Sequence, residues 1–251
     1  MREMLIIGIG SGDPDHLTLQ AVKALARVDV IFIIDKGAEK DDLAQLRLEI
    51  CRRHLSGRPC RTVMILDPER DRNPPHYEAA VLAWHELRLK EYERAIGDSL
   101  ADGECGAFLV WGDPSLYDST LRIFERLAGR TALHLSLEVI PGITSVQALA
   151  AKHKMCLNKI GQSVHITTGR NLPSCLPTES DNVVVMLDGD FTLTGVDPHT
   201  TMIHWGAYIG TQHEILRSGL VADVLEEVQA IRREARKVHG WIMDTYVLSR
   251  I

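Results

Sequence analysis

The chain has 251 residues, of which 45% are hydrophobic and 25% charged, and its net charge at pH 7 is −6. This composition predicts a globular protein, and the negative charge without a basic run argues against nucleic acid or an anionic membrane as a partner and favours a small molecule. The five cysteines are widely spaced and form no CxxC pair, so we expect neither disulfides nor a zinc site, which fits the cytoplasm.

The start of the chain predicts a strand, a helix and a second strand. An apolar strand at 5–9 runs into a glycine-rich turn and is far too short to span a membrane. Apolar residues then repeat at helical spacing over 17–28, with Asp15 as the expected cap, and a second strand at 30–34 ends at Asp35. This order invites comparison with a nucleotide-binding unit.

The glycine pattern is similar to a dinucleotide-binding fingerprint but departs from it in spacing. In the fingerprint, glycines approach a pyrophosphate at a helix N-terminus, and an acid at the end of the second strand holds the ribose. Here the glycines are Gly8, Gly10 and Gly12, and Asp13 and Pro14 interrupt the place where the helix would begin. An NAD(P)-dependent oxidoreductase therefore stays as an alternative function.

A charged, proline-rich loop divides the first half of the chain. A helix is predicted over 41–55 and a strand over 62–66, and the loop at 67–75 separates them from a long amphipathic helix at 77–100. The loop is either a solvated linker or a lid whose arginines hold carboxylates. The apolar stripe of the long helix, around Trp84, favours core packing or a dimer contact over a ligand site.

The turn after the apolar strand at 108–111 is a site candidate. The strand is continuously apolar, as expected when both faces of a parallel sheet are covered. Gly112 lets the backbone approach a ligand, and Asp113 and Pro114 suit the N-cap and first position of a helix with apolar residues over 121–128. Ligands of open α/β sheets lie outside such carboxyl ends.

A fifth strand is predicted at 133–140, where apolar and polar residues alternate as in a half-exposed edge strand. A Pro-Gly turn at 141–142 follows and leads into another helix. Three strand ends, near Gly10, Gly112 and Gly142, thus finish in small residues that precede helices. We expect these ends to share one crevice.

The pattern changes near residue 158, beyond which strands are shorter and more frequent. We expect one α/β domain at 1–158 and a second α/β domain at 159–251. The second domain is predicted to contain one helix, at 221–236, and strands at 164–167, 183–187, 201–205, 214–217 and 241–247.

Three motifs together resemble those of the tetrapyrrole (corrin and sirohaem) methyltransferase family. Residues 7–18 (IGIGSGDPDHLT) resemble the family's GxGPGDPxxLT, with Ser11 where most relatives have proline. Residues 112–117 (GDPSLY) resemble its GDPxxY, and 141–145 (PGITS) its PGxSS. The resemblance covers nearly the whole chain. It implies two α/β domains with the active site in the cleft between them, S-adenosylmethionine as methyl donor and S-adenosylhomocysteine as product.

Further segments resemble the family members that convert precorrin-5 to precorrin-6A. They are 35–37 (DKG), 67–72 (DPERDR), the helix that carries Trp84 and His85, and 165–171 (HITTGRN). This narrower resemblance implies methylation of carbon 1 of precorrin-5 with loss of the neighbouring two-carbon acyl group as acetate, in aerobic cobalamin biosynthesis, by a homodimer. Methylation at another position of a related tetrapyrrole stays an alternative, as does non-catalytic binding of either ligand.

The resemblance also implies which residues line the site. For the cofactor they are Gly112, Asp113, Pro114, Leu116, Tyr117, Thr144, Ser145, Leu187, Ala207 and Tyr208. For the substrate they are Gly10, Ser11 and Asp13.

Two further sets of candidates follow from charge and from position in the chain. Because the chain is negative and the substrate carries many carboxylates, we expect local positive charge from Lys36, Arg70, Arg72 and Arg170. The acid–base candidates are polar residues at or near strand ends: Asp35, His165, Asp188 and His204. The eleven histidines form no HxH or HExxH arrangement, so no metal is expected.

Overall fold

The computed structural model describes residues 1–35, 41–55, 59–69, 76–128, 133–178 and 181–251. The chain divides into two compact units, one formed by 1–10 and 14–143 and the other by 11–13 and 144–251. The helix at 145–152 therefore groups with the second unit, whereas the boundary predicted near residue 158 places it with the first. In these described ranges, no helix has both the length and the hydropathy needed to cross a membrane.

The first unit alternates strands and helices along the chain. Its elements are β1 (Arg2–Gly8), α1 (Leu19–Leu25), β2 (Val30–Asp35), α2 (Asp41–His54), β3 (Arg61–Leu66), α3 (Tyr77–Ser99), β4 (Cys105–Val110), α4 (Thr120–Ala128) and β5 (Leu135–Ile140). The strands form one parallel sheet in the order β3-β2-β4-β1-β5. The predicted edge position of β5 is confirmed.

The central strands of this sheet are buried on both faces. Alternate residues of β1 point to opposite sides, so that Met4 and Ile6 belong to one core and Leu5 and Ile7 to the other. Every residue of β4 is buried as well. This double burial explains why these strands are continuously apolar instead of alternating with polar residues.

The glycine turns at the carboxyl ends of β1, β4 and β5 converge, as the sequence predicts. A Cβ added to Gly142 would lie 2.1 Å from the carbonyl oxygen of Gly112, and one added to Gly8 would lie 2.6 Å from the nitrogen of Gly142. Gly10 and Gly112 also pair, since each backbone N–H donates to the other's carbonyl, at 3.3 and 2.7 Å. Backbones this close leave no room for side chains.

Two helix starts differ from the prediction. Thr18, not Asp15, caps α1, because its side chain accepts a hydrogen bond from the backbone nitrogen of Ala21, while Asp15 lies in a separate 3-10 turn. Asp113 and Pro114 do not begin α4, which starts at Thr120. Both predictions chose an acidic residue within three positions of a glycine, whereas each loop runs several residues further before the helix forms.

A buried arginine anchors the start of the loop that follows β3. The guanidinium of Arg88 on α3 contacts both carboxylate oxygens of Asp67, at 2.6 and 2.7 Å, and donates to the hydroxyl of Ser119 at 2.9 Å. Trp84 donates its indole N–H to the carbonyl of Pro68. The stripe of α3 around Trp84 therefore supports the loop residues 67–69 and the start of α4.

The second unit consists of α5 (Ser145–Lys152), β6 (Val164–Thr168), β7 (Asn182–Met186), β8 (Thr201–Ala207), β9 (Ile215–Leu220), α6 (Val221–His239) and β10 (Asp244–Arg250). Its sheet has the order β6-β7-β10-β8-β9, in which only β6 and β7 pair in parallel. One face of the sheet packs with α6 in a core that includes Trp205, Tyr246 and Val228. All five predicted strands and the predicted helix are present.

We expect Gly142→Ala to lower the free energy of unfolding by about 1–3 kcal/mol, because the new methyl group would overlap the Gly112 carbonyl. Gly97→Ala on α3 is the matched control: the nearest atom to its added Cβ lies 4.0 Å away, and alanine favours a helix, so stability should rise by about 0.5–1 kcal/mol. Urea unfolding of both variants measures the difference. Equal effects at the two glycines would contradict the close approach.

Candidate functional site

In the first unit, the turn at 112–117 holds the predicted cofactor residues. Gly112 has a φ of 69° and Tyr117 a φ of 52°, so both ends of the turn are left-handed. Pro114 is buried, Leu116 is half-buried, and the Tyr117 side chain is exposed. An aromatic side chain held outward in a strained conformation is an arrangement found at ligand sites.

The carboxylate of Asp113 ties this turn to the one after β5. Its Oδ1 accepts hydrogen bonds from the backbone nitrogen of Ser115, at 2.8 Å, and from the Ser115 hydroxyl. Its Oδ2 accepts from the backbone nitrogen of Gly142 at 2.9 Å. Partial burial raises the pKa of Asp113, but the hydrogen bonds from Ser115 and Gly142 outweigh it and hold the pKa below its usual range. The ionised side chain therefore links the two turns by hydrogen bonds.

The second unit brings Ser145, Leu187 and Ala207 to one end of its sheet. Thr245 of β10 pairs with Met186 of β7 on one side and with Gly206 of β8 on the other. Leu187 and Ala207, each the next residue along the chain, therefore lie at the same height in the sheet. The Ser145 hydroxyl, at the start of α5, lies 2.9 Å from the Thr245 hydroxyl. Leu187 and Ala207 therefore lie at one end of the sheet, where Ala207 is buried in the core with α6, and Ser145 contacts that end through Thr245.

Thr144 precedes Ser145 and caps α5. Its side chain accepts from the backbone nitrogen of Gln147, and the Gln147 side chain accepts from the Thr144 backbone nitrogen in return. This capping box fixes the direction in which the chain enters the helix. The predicted site residues Thr144 and Ser145 are therefore rigidly placed.

Leu187 and Tyr208 are both left-handed but differ in exposure. Leu187 has a φ of 52° and a side chain 63% exposed, which is not the environment of a core leucine. Tyr208 has a φ of 50° and is buried, and its hydroxyl donates to the carbonyl of Trp241 at 2.5 Å. Leu187 therefore offers a side chain to a ligand. The Tyr208 ring instead packs inside the protein and holds the loop after β8, in which Tyr208 lies.

Ser11 and Asp13 lie against the loop that follows β8. A Cβ added to Gly12, between them, would come within 2.6 Å of the Thr211 side chain, and one added to Gly210 within 2.8 Å of the Asp13 nitrogen. Ser11 is buried, and its hydroxyl has no hydrogen-bond partner among the residues that the structure describes. Gly10 belongs to the first unit.

The structure does not bring the acid–base candidates together within either unit. Asp35 ends β2 in the first unit. In the second unit, His165 is exposed on the edge strand β6, level with Val183, and its Nε2 lies 3.7 Å from an oxygen of Asp181. His165 is therefore three residues short of the end of the strand.

His204 and Asp188 are more enclosed than His165. His204 lies within β8, where burial and then His153 lower its pKa, and its Nδ1 has no partner among the described residues. The carboxylate of Asp188 accepts hydrogen bonds from the backbone of Asp190 and Phe191 and from the Tyr246 hydroxyl. Asp188 therefore has an established set of donors, unlike His204.

Of the four predicted cations, the structure describes only Arg170. Arg170 is exposed in a 3-10 turn directly after β6. Lys36, Arg70 and Arg72 lie outside the residues that the structure describes. No group of three or more metal-ligating side chains was found where side chains are described.

Sequence reasoning missed a buried polar network in the second unit. Asp244, at the start of β10, accepts the indole N–H of Trp205 at 2.7 Å and forms an ion pair with Arg232 of α6, with 2.8 Å between Nε and Oδ2. Burial raises the pKa of Asp244. The available signal was a polar pair, Asp244 and Thr245, inside the otherwise apolar strand predicted at 241–247.

We expect Asp113→Asn to cost about 1–2 kcal/mol of stability at pH 7, because an amide must turn its NH2 group toward one of the N–H donors that the carboxylate accepts. Since the folded pKa is depressed, this stability is present above the unfolded value near 3.8 and is lost as pH falls through the folded pKa. Urea unfolding at decreasing pH should show a constant difference between the two proteins down to about 3.8 and a shrinking difference below it. Asp98→Asn, at an exposed position, serves as control. An equal loss of stability there would contradict the role of Asp113 in linking the two turns.

The comparisons with known proteins agree with the motifs. The tetrapyrrole (corrin/porphyrin) methylases match residues 3–225. The precorrin-6A synthase (deacetylating) of Sinorhizobium sp is 47% identical over 250 residues, which cover 100% of this chain and 96% of the relative. The precorrin-2 C(20)-methyltransferase of Sinorhizobium sp is 32% identical over 152 residues, 56% of this chain and 53% of that protein.

Solved structures share the fold. The crystal structure of a cobalamin synthesis related protein (CobF) from Corynebacterium diphtheriae has a TM-score of 0.84 and 42% identity, and covers 100% of this chain and 99% of that one. A uroporphyrin-III C-methyl transferase from Thermus thermophilus, complexed with S-adenyl homocysteine, has a TM-score of 0.57 and 20% identity, and covers 98% and 97%. The predicted class, two α/β domains of the tetrapyrrole methylase type, is confirmed. This chain belongs to the tetrapyrrole (corrin/porphyrin) methylase family.

Proposed function

We propose that this protein is an S-adenosylmethionine-dependent methyltransferase that methylates precorrin-5 at carbon 1 and releases acetate, giving precorrin-6A in aerobic cobalamin biosynthesis. The observation that carries the proposal is the 47% identity, over essentially both full lengths, to a precorrin-6A synthase (deacetylating). Family membership also favours a methyltransferase over the alternative oxidoreductase. In addition, α1 begins only at Leu19, seven residues after Gly12, whereas the dinucleotide-binding fingerprint begins its helix at the glycines themselves.

The residues present fit S-adenosylmethionine. Leu187 exposes an apolar side chain at the end of β7, which suits the face of an adenine, and Gly112 offers backbone without a side chain at the end of β4. We assign cofactor contacts to these two, to Leu116 and Tyr117 in the first unit, and to Ser145 in the second. Asp113 and Tyr208 act through the turns that they hold.

The bound sulfonium supplies an already activated methyl group, and an electron-rich pyrrole-derived macrocycle is a carbon nucleophile. The protein therefore needs chiefly to align the two, and alignment alone can account for much of the acceleration. No proton has to be removed from the macrocycle by a strongly basic side chain before the methyl group transfers.

Loss of the acyl group makes more demands, because a water must be deprotonated and an oxyanion stabilised. The hydroxyl of Ser11 suits this second role: it is buried without a partner among the described residues, and an unsatisfied buried hydroxyl is costly unless a ligand or water pairs with it. The base stays open between the four candidates Asp35, His165, Asp188 and His204. We place Gly10 and Asp13 on the substrate side, as the family resemblance implies.

The substrate's carboxylates require local positive charge in a protein of net charge −6. We assign this role to Arg170, in the turn after β6, and to Lys36, Arg70 and Arg72. The homodimer stays a prediction from the family resemblance and the apolar stripe around Trp84, and the cytoplasmic location stays one from the cysteine pattern.

The proposal is tested by incubating the protein with S-adenosylmethionine and precorrin-5. We expect mass spectrometry to show a product with one additional methyl group and without the two-carbon acyl group, and acetate to appear in the medium in equal amount. Methylation without acetate would indicate another ring position. Cofactor binding without turnover would indicate a non-catalytic binder, and binding of a nicotinamide nucleotide alone would refute the methyltransferase.

A pair of variants links this turnover to the turn after β4. Gly112→Arg should abolish cofactor binding and turnover, because a side chain would occupy the space beside the backbone. Gly161→Arg is the matched control, since Gly161 has nearly the same φ, 70° against 69°, and nothing within 4 Å of an added Cβ. It carries the same backbone strain and should keep turnover.

We expect Arg170→Ala to weaken precorrin binding by roughly ten- to a hundredfold, the loss of one charge-assisted contact of about 1.5–3 kcal/mol, with S-adenosylhomocysteine binding unchanged. Arg70→Ala and Arg72→Ala should behave in the same way. Arg233→Ala, an exposed cation on α6, is the control and should leave both affinities unchanged. Calorimetry with both ligands measures this, and the assignment fails if the three variants keep full precorrin affinity or lose cofactor affinity instead.

A further inference from the structure

We propose that Asp188 is a positioning residue, whose carboxylate folds residues 187–191 into the turn that presents Leu187 to the adenine of the cofactor. The inference rests on the proposed function, which assigns the adenine contact to Leu187. It gives Asp188 a role different from the acid–base chemistry that its place at a strand end suggested.

The turn after β7 is strained. Leu187 and Phe191 have φ values of 52° and 51°, although neither is glycine. A side chain in the left-handed region costs about 1 kcal/mol or more, so such a conformation persists only where neighbouring contacts enforce it. Leu187 is also 63% exposed, so its own packing within the protein does not supply those contacts.

The carboxylate of Asp188 supplies them. Its Oδ1 accepts from the backbone nitrogen of Asp190 at 3.2 Å and from that of Phe191 at 2.9 Å. These two hydrogen bonds hold the backbone of 190–191 against the side chain of Asp188 and so close the turn. Its Oδ2 accepts the Tyr246 hydroxyl at 2.6 Å, which fastens the turn to β10. Both oxygens are therefore engaged in holding backbone and sheet.

Tyr246 is suited to remain the donor. Its side chain is fully buried, and burial, followed by the hydrogen bond to Asp188, raises its pKa above the usual range. The phenol therefore stays protonated at working pH and donates to the carboxylate. A carboxylate held in this way is a weak candidate for removing a proton from water, because a proton on it would displace these donors.

Gly169 packs closely against the Asp188 side chain. A Cβ added to Gly169 would lie 2.2 Å from the Asp188 carboxyl carbon, so only glycine leaves room for this side chain. Gly169 belongs to the segment 165–171 (HITTGRN), which the sequence set apart without giving it a task. Space for Asp188 is a structural reason for the glycine in that segment.

Two arginines of helix α6 also hold the turn at 187–191. Arg232 donates to the carbonyl of Asp188 and stacks over the ring of Phe191, with 4.5 Å from its guanidinium carbon to the ring centroid. Arg236 donates to the carbonyl of Gly189 at 2.7 Å. The backbone of the turn is thus held by two arginines and by one carboxylate, and Leu187 is left facing outward.

The first experiment measures the dissociation constant of S-adenosylhomocysteine by calorimetry for Leu187→Ala, Asp188→Ala and the double variant. If Asp188 acts through Leu187, each single change weakens binding about tenfold or more, and the double variant is no weaker than Leu187→Ala alone. Additive losses in the double variant would overturn the inference. Asp190→Ala, an exposed side chain of the same turn, is the matched control and should bind normally.

The conservative variant separates positioning from proton transfer. In Asp188→Asn the amide oxygen can still accept from Asp190 and Phe191, and the amide nitrogen can donate to the oxygen of Tyr246, so we expect affinity within about threefold of wild type. A general base would lose turnover in Asp188→Asn as completely as in Asp188→Ala, with affinity unchanged. That result would overturn the inference.

The fold of the turn can be followed without any ligand. Hydrogen exchange at the amides of Asp190 and Phe191 should accelerate at least tenfold in Asp188→Ala and stay unchanged in Leu187→Ala, since only the first variant removes their acceptor. Tyr246→Phe and Gly169→Ala, which disturb Asp188 from its two sides, should accelerate exchange and weaken binding even if Asp188→Ala does not fold. Unchanged exchange and unchanged affinity in both would overturn the inference.

The outcomes also separate this inference from the proposed function. If wild-type protein binds S-adenosylhomocysteine, Leu187→Ala weakens binding and Asp188→Ala does not, the cofactor site stands and the positioning role is wrong. If wild-type protein binds no S-adenosylhomocysteine, the proposed function fails, and the positioning role fails with it.

Discussion

The candidate site of the first unit depends on how closely the backbones of Gly112 and Gly142 approach each other. The Gly112 carbonyl lies where a side chain of residue 142 would be, and the carbonyl carbon of Gly8 lies 2.7 Å from the same added Cβ. Such contact requires glycine at positions 8 and 142, and it joins the loops after three neighbouring strands into one body. Asp113 can reach the nitrogen of Gly142 because this approach brings the two turns together.

Each unit uses a carboxylate to hold a strained turn at the end of a strand. Asp113 accepts from Ser115 and Gly142 after β4, and Asp188 accepts from its own turn and from Tyr246 after β7. A single hydrogen bond contributes little net stability, but several bonds to one ion are stronger and fix a direction. They offset the cost of left-handed residues and leave neighbouring side chains free to face a ligand.

The sequence predicted most of the elements because their apolar patterns are local. It also predicted the convergence of the glycine turns, since carboxyl ends of parallel strands share an edge. It did not predict what the carboxylates do: Asp113 looks like a helix cap until Gly142, 29 residues later, is placed beside it, and Asp188 looks like an acid–base group until Tyr246 is. Partners so distant in sequence are known only when the sheet order is known.

Two buried ion pairs in the described part of the chain serve the fold. Arg88 is matched by Asp67, and Arg232 by Asp244, each in a place where an unmatched ion would be costly. Because these cations are neutralised by their acids, they add little to the field that a polyanionic ligand meets. That field must come from cations near the surface, such as Arg170, so recognition of the substrate should be more sensitive to salt than the stability of the fold.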